Sequence, residues 1–346
     1  MVVNMIRVSL KIVLYISLAL GLLLPMYVFA QNKIEPANKI AFLRDQAVWL
    51  ANPDGSGEQR LTNKSVKVND FLFSPTLQYL AYSAIVGSAE EPGLWDSTET
   101  APQRAICSIV IFDLATNKKL KQTDSEWVYI TRWLPQDRLL YYTSDGYAVS
   151  GYYAYDARKN SMLTMPDGDE RLTNSDFSLD GSLEAYVGSY GRDLYMHYVD
   201  TNRDTVLVSG KFYICDVRIS NNKRHVSFVQ VQDEGQKYFD ILWLYERKTS
   251  SCTSLHRGPA HAKSGGVNYL AWSPDDRYIG MFFPPEAIVL EIEHPSRTIT
   301  VSGKNFCWLA NDKIIFTRDN DTYVYDLTTS SSSLLIKGAD MAVLLR

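Results

Sequence analysis

The stretch Trp272-Ser273-Pro274-Asp275-Asp276-Arg277-Tyr278-Ile279-Gly280-Met281-Phe282 joins two apolar strands through a polar turn. Pro presets φ for such a turn, and Asp bonds back to its own backbone. The same phrase returns seven times, most clearly as Phe177-Ser178-Leu179-Asp180-Gly181-Ser182-Leu183-Glu184-Ala185-Tyr186. Self-similarity at roughly 35–60 residues marks the blades of a β-propeller. The expected fold is therefore all-β, built from four-stranded blades whose innermost strand lines a channel.

Working outward from the sixth copy, strands a to d are read at 267–273, 278–283, 287–292 and 298–302. The other anchors are Phe73, Trp133, Phe177, Ile219 and Trp308. Each precedes a turn and an apolar strand. Polar connections at 113–118, 156–160 and 200–204 read as c–d hairpins. The first copy lacks its inner strand: Lys39–Leu43, Ala47–Ala51 and Gln59–Thr62 read as strands b, c and d. At the far end, Met341–Leu345 is an apolar strand with nothing after it. Strand a of the first blade is thus expected from the C-terminus, which closes the ring and removes exposed sheet edges. Seven blades result. Counts of six or eight stay open, because the interval from Phe73 to Trp133 is long.

The chain has 346 residues, 46% of them hydrophobic, with 22 Tyr, 13 Phe and 7 Trp. Aromatic residues suit a pleated surface. A net charge of −4 gives no basic footprint for nucleic acid. Residues 1–30 differ from the rest. Arg7 and Lys11 precede an apolar run from Ile12 to Ala30, broken at Pro25, and Val28-Phe29-Ala30 offers a small-residue exit before Gln31. That is an export signal; a retained anchor is the alternative, since about 19 apolar residues reach the minimum span of a bilayer. Either reading places residues 39–346 outside the cytoplasm, periplasmic or extracellular, with 31–38 as a short linker. Cys107, Cys215, Cys252 and Cys307 show no metal-binding spacing. They read as small buried residues. Cys215 and Cys252 would lie on the first and last strands of one blade, too far apart to bridge.

The run Val48-Trp49-Leu50-Ala51-Asn52-Pro53-Asp54-Gly55-Ser56-Gly57 with Arg60-Leu61-Thr62, together with Phe73-Ser74-Pro75 and Trp272-Ser273-Pro274-Asp275, resembles the TolB-type propeller repeat. The resemblance spans roughly residues 39–346 and is specific in the first, fourth and sixth copies. It implies an exported propeller that binds a protein partner. TolB-type proteins carry an α/β domain before the propeller, for which residues 31–38 leave no room. Prolyl-oligopeptidase-type enzymes carry a hydrolase domain, and no Gly-x-Ser-x-Gly elbow occurs here. The motif residues build turns, so none is carried over as a site.

In a propeller the b–c and d–a connections share one face. The longest connections, 84–104, 230–238 and 256–266, all fall there, and long loops on a rigid scaffold carry recognition. The candidate binding residues are Glu90, Glu91, Trp95, Asp96, Asp233, Glu234, His256 and His261. Trp95 amid acids suits an interface anchor. His256 and His261 lack a third ligand and zinc spacing, and the end of strand d is the alternative place for His256. Asp233 and Glu234 complete no calcium loop and read as a solvated turn. No catalytic set, metal or cofactor is expected, and no phosphate-binding loop occurs. Ser330–Ser333 reads as a tip between strands. Tyr147, Tyr152, Tyr153 and Tyr155 would divide between two sheet faces by strand alternation. The leading expectation is a non-catalytic binder of a protein. The alternatives are an enzyme acting on envelope polysaccharide through paired carboxylates, and a scaffold held to the membrane through residues 12–30.

Overall fold

Twenty-eight strands form seven separate four-stranded antiparallel sheets. The structure, a computed structural model, describes residues 35–90, 103–123, 127–144, 149–163, 174–188, 191–235, 237–259, 269–283 and 285–346. The readings of residues 1–30 lie outside them. Each sheet is one blade, and six run inner to outer in chain order. The first is completed from the other end: the order is Asp340–Leu344, Ile40–Arg44, Ala47–Ala51, Gln59–Arg60. The ring thus has seven blades and closes through the C-terminal strand, as the sequence predicts.

The repeated serine has a structural task. In four blades its hydroxyl sits under the a–b turn and accepts the amide of the first residue of strand b. The pairs are Tyr79 to Ser74 (3.1 Å), Leu183 to Ser178 (3.0 Å), His225 to Ser220 (2.9 Å) and Tyr278 to Ser273 (2.9 Å). In all four the hydroxyl also meets a side chain two residues on: Thr76, Asp180, Asn222 or Asp275. The third residue after each serine has left-handed φ: Leu77 at 57°, Gly181 at 71°, Lys223 at 60° and Asp276 at 59°. Only one copy spends a glycine there, which is why the motif looks degenerate while its geometry persists.

Between blades, side chains on facing sheets interlock. Aliphatic and aromatic clusters fill the seams between blades 1 and 2, 2 and 3, 4 and 5, 5 and 6, 6 and 7, and 7 and 1. The largest aromatic run crosses from blade 6 into blade 7, where Phe282, Phe306, Phe316 and Tyr323 stack at 5.3, 6.0 and 5.6 Å.

Three sequence readings are corrected. Ser331–Ile336 is the outer strand of blade 7, so Ser331–Ser333 are not a tip. His256 lies inside the outer strand of blade 5, Ser251–Pro259, because pairing with Leu242 continues past the expected end of the strand. The cysteines are all free, but only Cys107 is buried; Cys215 and Cys307 are half-buried and Cys252 is exposed on its edge strand.

Replacing Ser273 by Ala leaves the Tyr278 amide in a buried site without its acceptor. Chemical denaturation is expected to show a loss of about 1–3 kcal/mol. An exposed control, Ser302→Ala, should change stability by less than about 0.5 kcal/mol.

Candidate functional site

The face that carries the b–c and d–a connections is not level. In blade 2, strands b and c run 12 and 11 residues, Tyr79–Glu90 and Gln103–Asp113. The ladder of the inner strand ends at Val68 with Ala84, and one further bond runs from the Ile85 amide to the Lys67 carbonyl at 2.7 Å. Beyond it, strands b and c continue alone from Gly87–Ile106 to Glu90–Gln103. A two-stranded arm of four residue steps thus leaves the blade, about 13 Å at the usual rise. A bulge lies between Ile85 and Gly87, and Val86 within it is 48% exposed. Such a bulge bends a ribbon and re-aims its side chains.

Blade 5 rises on the same face. Its strands pair out to Tyr213–Val231, Asp233–Tyr238 and Phe239–Pro259. At its crest Arg257 lies over the Phe239 ring at 4.5 Å and pairs with Glu234 at 2.7 Å. Tyr213 and Tyr238 are half-exposed beside it. In blade 3, Tyr152 and Tyr153 lie in the middle of strand c, Val149–Asp156. Of the four exposed tyrosines among the described residues, Tyr213 and Tyr238 therefore lie at the crest, and Tyr152 and Tyr153 stand on opposite sides of the blade 3 sheet. The alternation expected of the tyrosine group is seen: Tyr153 stacks on Tyr141, Tyr152 lies against Tyr142, and Tyr155 is buried. Tyr147 lies outside the described residues.

The expected site residues divide. Asp233 shapes its hairpin by accepting the Gly235 amide at 2.9 Å, which is the turn role read from the sequence. Glu234 is held by Arg257, and His256 is a strand residue. Glu90 closes the described arm. Glu91, Trp95, Asp96 and His261 lie outside the described residues. No group of three metal-ligating side chains occurs among the residues described.

Sequence reasoning missed the inner strands. From blade 3 to blade 6 they are joined by charged side chains. Arg132 donates to the Ser175 carbonyl and, at 2.7 Å, to its hydroxyl. Asp176 accepts the Ile219 amide at 2.7 Å. Asp216 accepts the Leu270 amide and pairs with Arg218 at 2.6 Å, while Arg218 donates to the Leu270 carbonyl at 3.0 Å. Burial pushes the carboxyl of Asp176 up; it pushes that of Asp216 up to about 6, against the pull of Arg218. The signal was present in the strand a sequences, but an acid one or three residues ahead of an anchor, Asp176 before Phe177 or Asp216 before Ile219, looks like ordinary polar alternation.

The seam between blades 3 and 4 is of another character. Leu139, Tyr141 and Tyr155 pack toward blade 2, so Leu140, Tyr142 and Tyr152 turn to blade 4. Leu183, Ala185 and Val187 pack toward blade 5, so Glu184 and Tyr186 turn to blade 3. Tyr129 stacks on Tyr142 at 4.9 Å, and Tyr186 on Tyr195 at 5.1 Å. Among the described residues this seam is thus lined by phenols and the Arg132–Ser175 contact, with Leu140 and Ala154 as its buried aliphatic part.

No known family profile matches the chain, and no curated protein matches it. Solved structures do. A protein of unknown function from Desulfotomaculum acetoxidans aligns over 90% of this chain and 99% of its own, at 8% identity and a TM-score of 0.53. TolB from Acinetobacter baumannii aligns over 92% of this chain and 69% of its own, at 10% identity and TM-score 0.45. A prolyl endopeptidase aligns over 87% and 50%, at 12% and 0.49. These are likenesses of fold. With its turn motif and seven closed blades, the chain is a seven-bladed β-propeller.

Asp216 gives a test of the inner-strand network. Its carboxyl titrates higher in the folded chain than in the unfolded one, so the folded state holds the extra proton between about pH 4 and pH 6. Stability must then fall as pH rises through that window. Asp216→Asn cannot ionise. Relative to this variant, the native chain is expected to lose on the order of 1–3 kcal/mol between pH 4 and pH 7. Parallel denaturation curves for the two proteins would refute the assignment.

Proposed function

We propose that this propeller is an exported binding module that engages a protein partner through the face of the blade 2 arm and the blade 5 crest. One observation carries the reading: two exposed tyrosines, Tyr213 and Tyr238, lie at the crest of blade 5, on the face where the arm projects. Exposed tyrosines on rigid strands offer large contact area with little entropy to lose, which is the composition of interface hot spots. Arg257, spread over Phe239, adds a charged anchor of the kind such centres contain. Residues 1–30 supply the export signal, and the partner is an envelope or extracellular protein. The blade seams supply rigidity, so the face is presented with little reorganisation on binding.

The test uses the mature chain from Gln31 as bait in a native envelope extract. A second bait replaces residues 87–106 by a two-residue turn, which removes the arm and keeps the blade pairing up to Ala84. A protein retained by the first bait and lost by the second is the expected result. A third bait, Tyr213→Ala with Tyr238→Ala, is expected to weaken retention at least tenfold, since hot-spot truncations cost about 1–4 kcal/mol each. Equal capture by all three baits would move the interface to another face, and no specific capture would sink the binding reading.

A further inference from the structure

Between blades 2 and 3, where the arm leaves its blade, lies a cavity of about 240 Å³. Asn69, Asp70, Ser83, Ala105 and Cys107 line it from blade 2, and the start of the inner strand, Trp127 to Ile130, from blade 3, with Val128 and Ile130 on the blade 2 side and Tyr129 turned away to Tyr142. It lies at the projecting-hairpin end of the inner strands. Cys107 and Ile85 are the first pair beyond the ladder of the inner strand, and Val68 and Ala84 are the last within it.

Asp70 is the unusual group. Counted from the anchors Phe73 and Ile219, it holds the same place in blade 2 that Asp216 holds in blade 5. There the residue two further on is Arg218, which pairs with Asp216 at 2.6 Å. In blade 2 the residue two further on is Leu72. The other inner-strand acids also meet cations: Asp176 lies in the field of Arg218 and Arg132, and Asp340 pairs with Lys304 at 3.0 Å. Asp70 has one hydrogen bond, accepted by Oδ1 from the neighbouring Phe71 amide at 2.7 Å. No cation faces it among the described residues. Burial pushes its carboxyl up, and nothing charged pulls it back.

We propose that this cavity is a binding site for an alkylammonium group, with Asp70 as its counter-charge and Ala105, Val128 and Ile130 as the apolar wall for its alkyl chain. A carboxylate out of water without a partner is costly, and a ligand cation removes that cost. The apolar wall takes the alkyl chain out of water as the charge is met. The Ser83 hydroxyl and the Asn69 amide oxygen supply further acceptors for its three protons. Size agrees: at about 30 Å³ per water-sized group the cavity holds roughly eight, enough for a lysine side chain. The source of the ammonium is a lysine of the bound partner or a free amine; the first source rests on the function proposed above.

The test separates the two. An NMR titration of the mature chain with n-butylammonium chloride follows the Trp127 indole resonance, with n-butanol as the uncharged control. Two variants are compared, with thermal melts confirming that they fold. Asp70→Asn keeps the oxygen that accepts the Phe71 amide and removes the charge. Leu72→Arg builds into blade 2 the internal cation that blade 5 possesses. Saturable binding of n-butylammonium, no binding of n-butanol, and an affinity at least about tenfold lower in both variants are expected. Absence of binding below about 10 mM, or equal affinity in all three proteins, overturns the proposal. The Asp70→Asn bait in the envelope capture then assigns the source. Loss of the partner supports a partner lysine, while unchanged capture overturns that source and leaves a free amine as ligand. If no bait captures a partner, the interface reading fails and the titration alone decides the site.

Discussion

Ring closure by the C-terminal strand is the constraint on which the other parts depend. Asp340–Leu344 pairs with Ile40–Arg44, with Leu344 opposite Ile40 and Val343 opposite Ala41. Two further bonds extend the pairing, from the Asn38 amide to the Leu345 carbonyl and from the Leu345 amide to the Lys39 carbonyl, each 2.8 Å. Blade 1 has no other inner strand, and the cluster that joins blade 7 to blade 1 includes Ala342 from this strand beside Phe42 and Ile315. Each blade is a thin sheet with two apolar faces and cannot bury both alone. A ring answers that need for every blade at once, but only if the last seam is made.

Two kinds of bond then hold the blades at fixed angles. Outside the channel, turn side chains reach the next blade: Asp276 accepts the Asn221 and Asn222 amides at 2.8 Å, and Asp137 accepts the Thr76 amide at 3.2 Å. Along the channel, the inner-strand acids and arginines do the same work at greater depth. Burying a charge is a poor way to gain stability, because desolvation offsets most of the attraction. Its effect here is on register: a carboxylate that must meet one amide of the next blade leaves little freedom to slide. The apolar seams supply the free energy and the polar contacts supply the alignment.

Much of this was legible in the residues. Anchor, turn and strand repeat as a unit, since the serine hydroxyl, the left-handed third residue and the buried aromatic all serve one turn, and a turn is a local object. The strand ends were less legible. Residues 84–90 and 103–104 carry Gly87, Ser88 and Glu90, a loop composition, yet they pair because strand b finds its partner in strand c. Whether a segment extends a hairpin depends on its partner strand, which local composition does not encode. The start of the connection after blade 5 was set too early, at His256, for the same reason. The blade 2 cavity left no motif, because its meaning lies in a departure: Asp-Phe-Leu at 70–72 where blade 5 has Asp-Val-Arg at 216–218.

Such departures are where a repeat protein can differentiate. The ring requires each blade to keep its turn and its seams, so those positions hold their chemistry across copies. A position that only one blade leaves unpaired is free of that requirement. Asp70 keeps the acid of the repeat and lacks the cation, and it does so at the root of the one arm that rises clear of its inner strand. A partner that touched the arm would pass directly over the cavity, and an ammonium delivered there would meet the charge that blade 5 satisfies internally. Arm and cavity thus have one geometric origin: in blade 2 the inner strand stops pairing at Val68 while its neighbours continue.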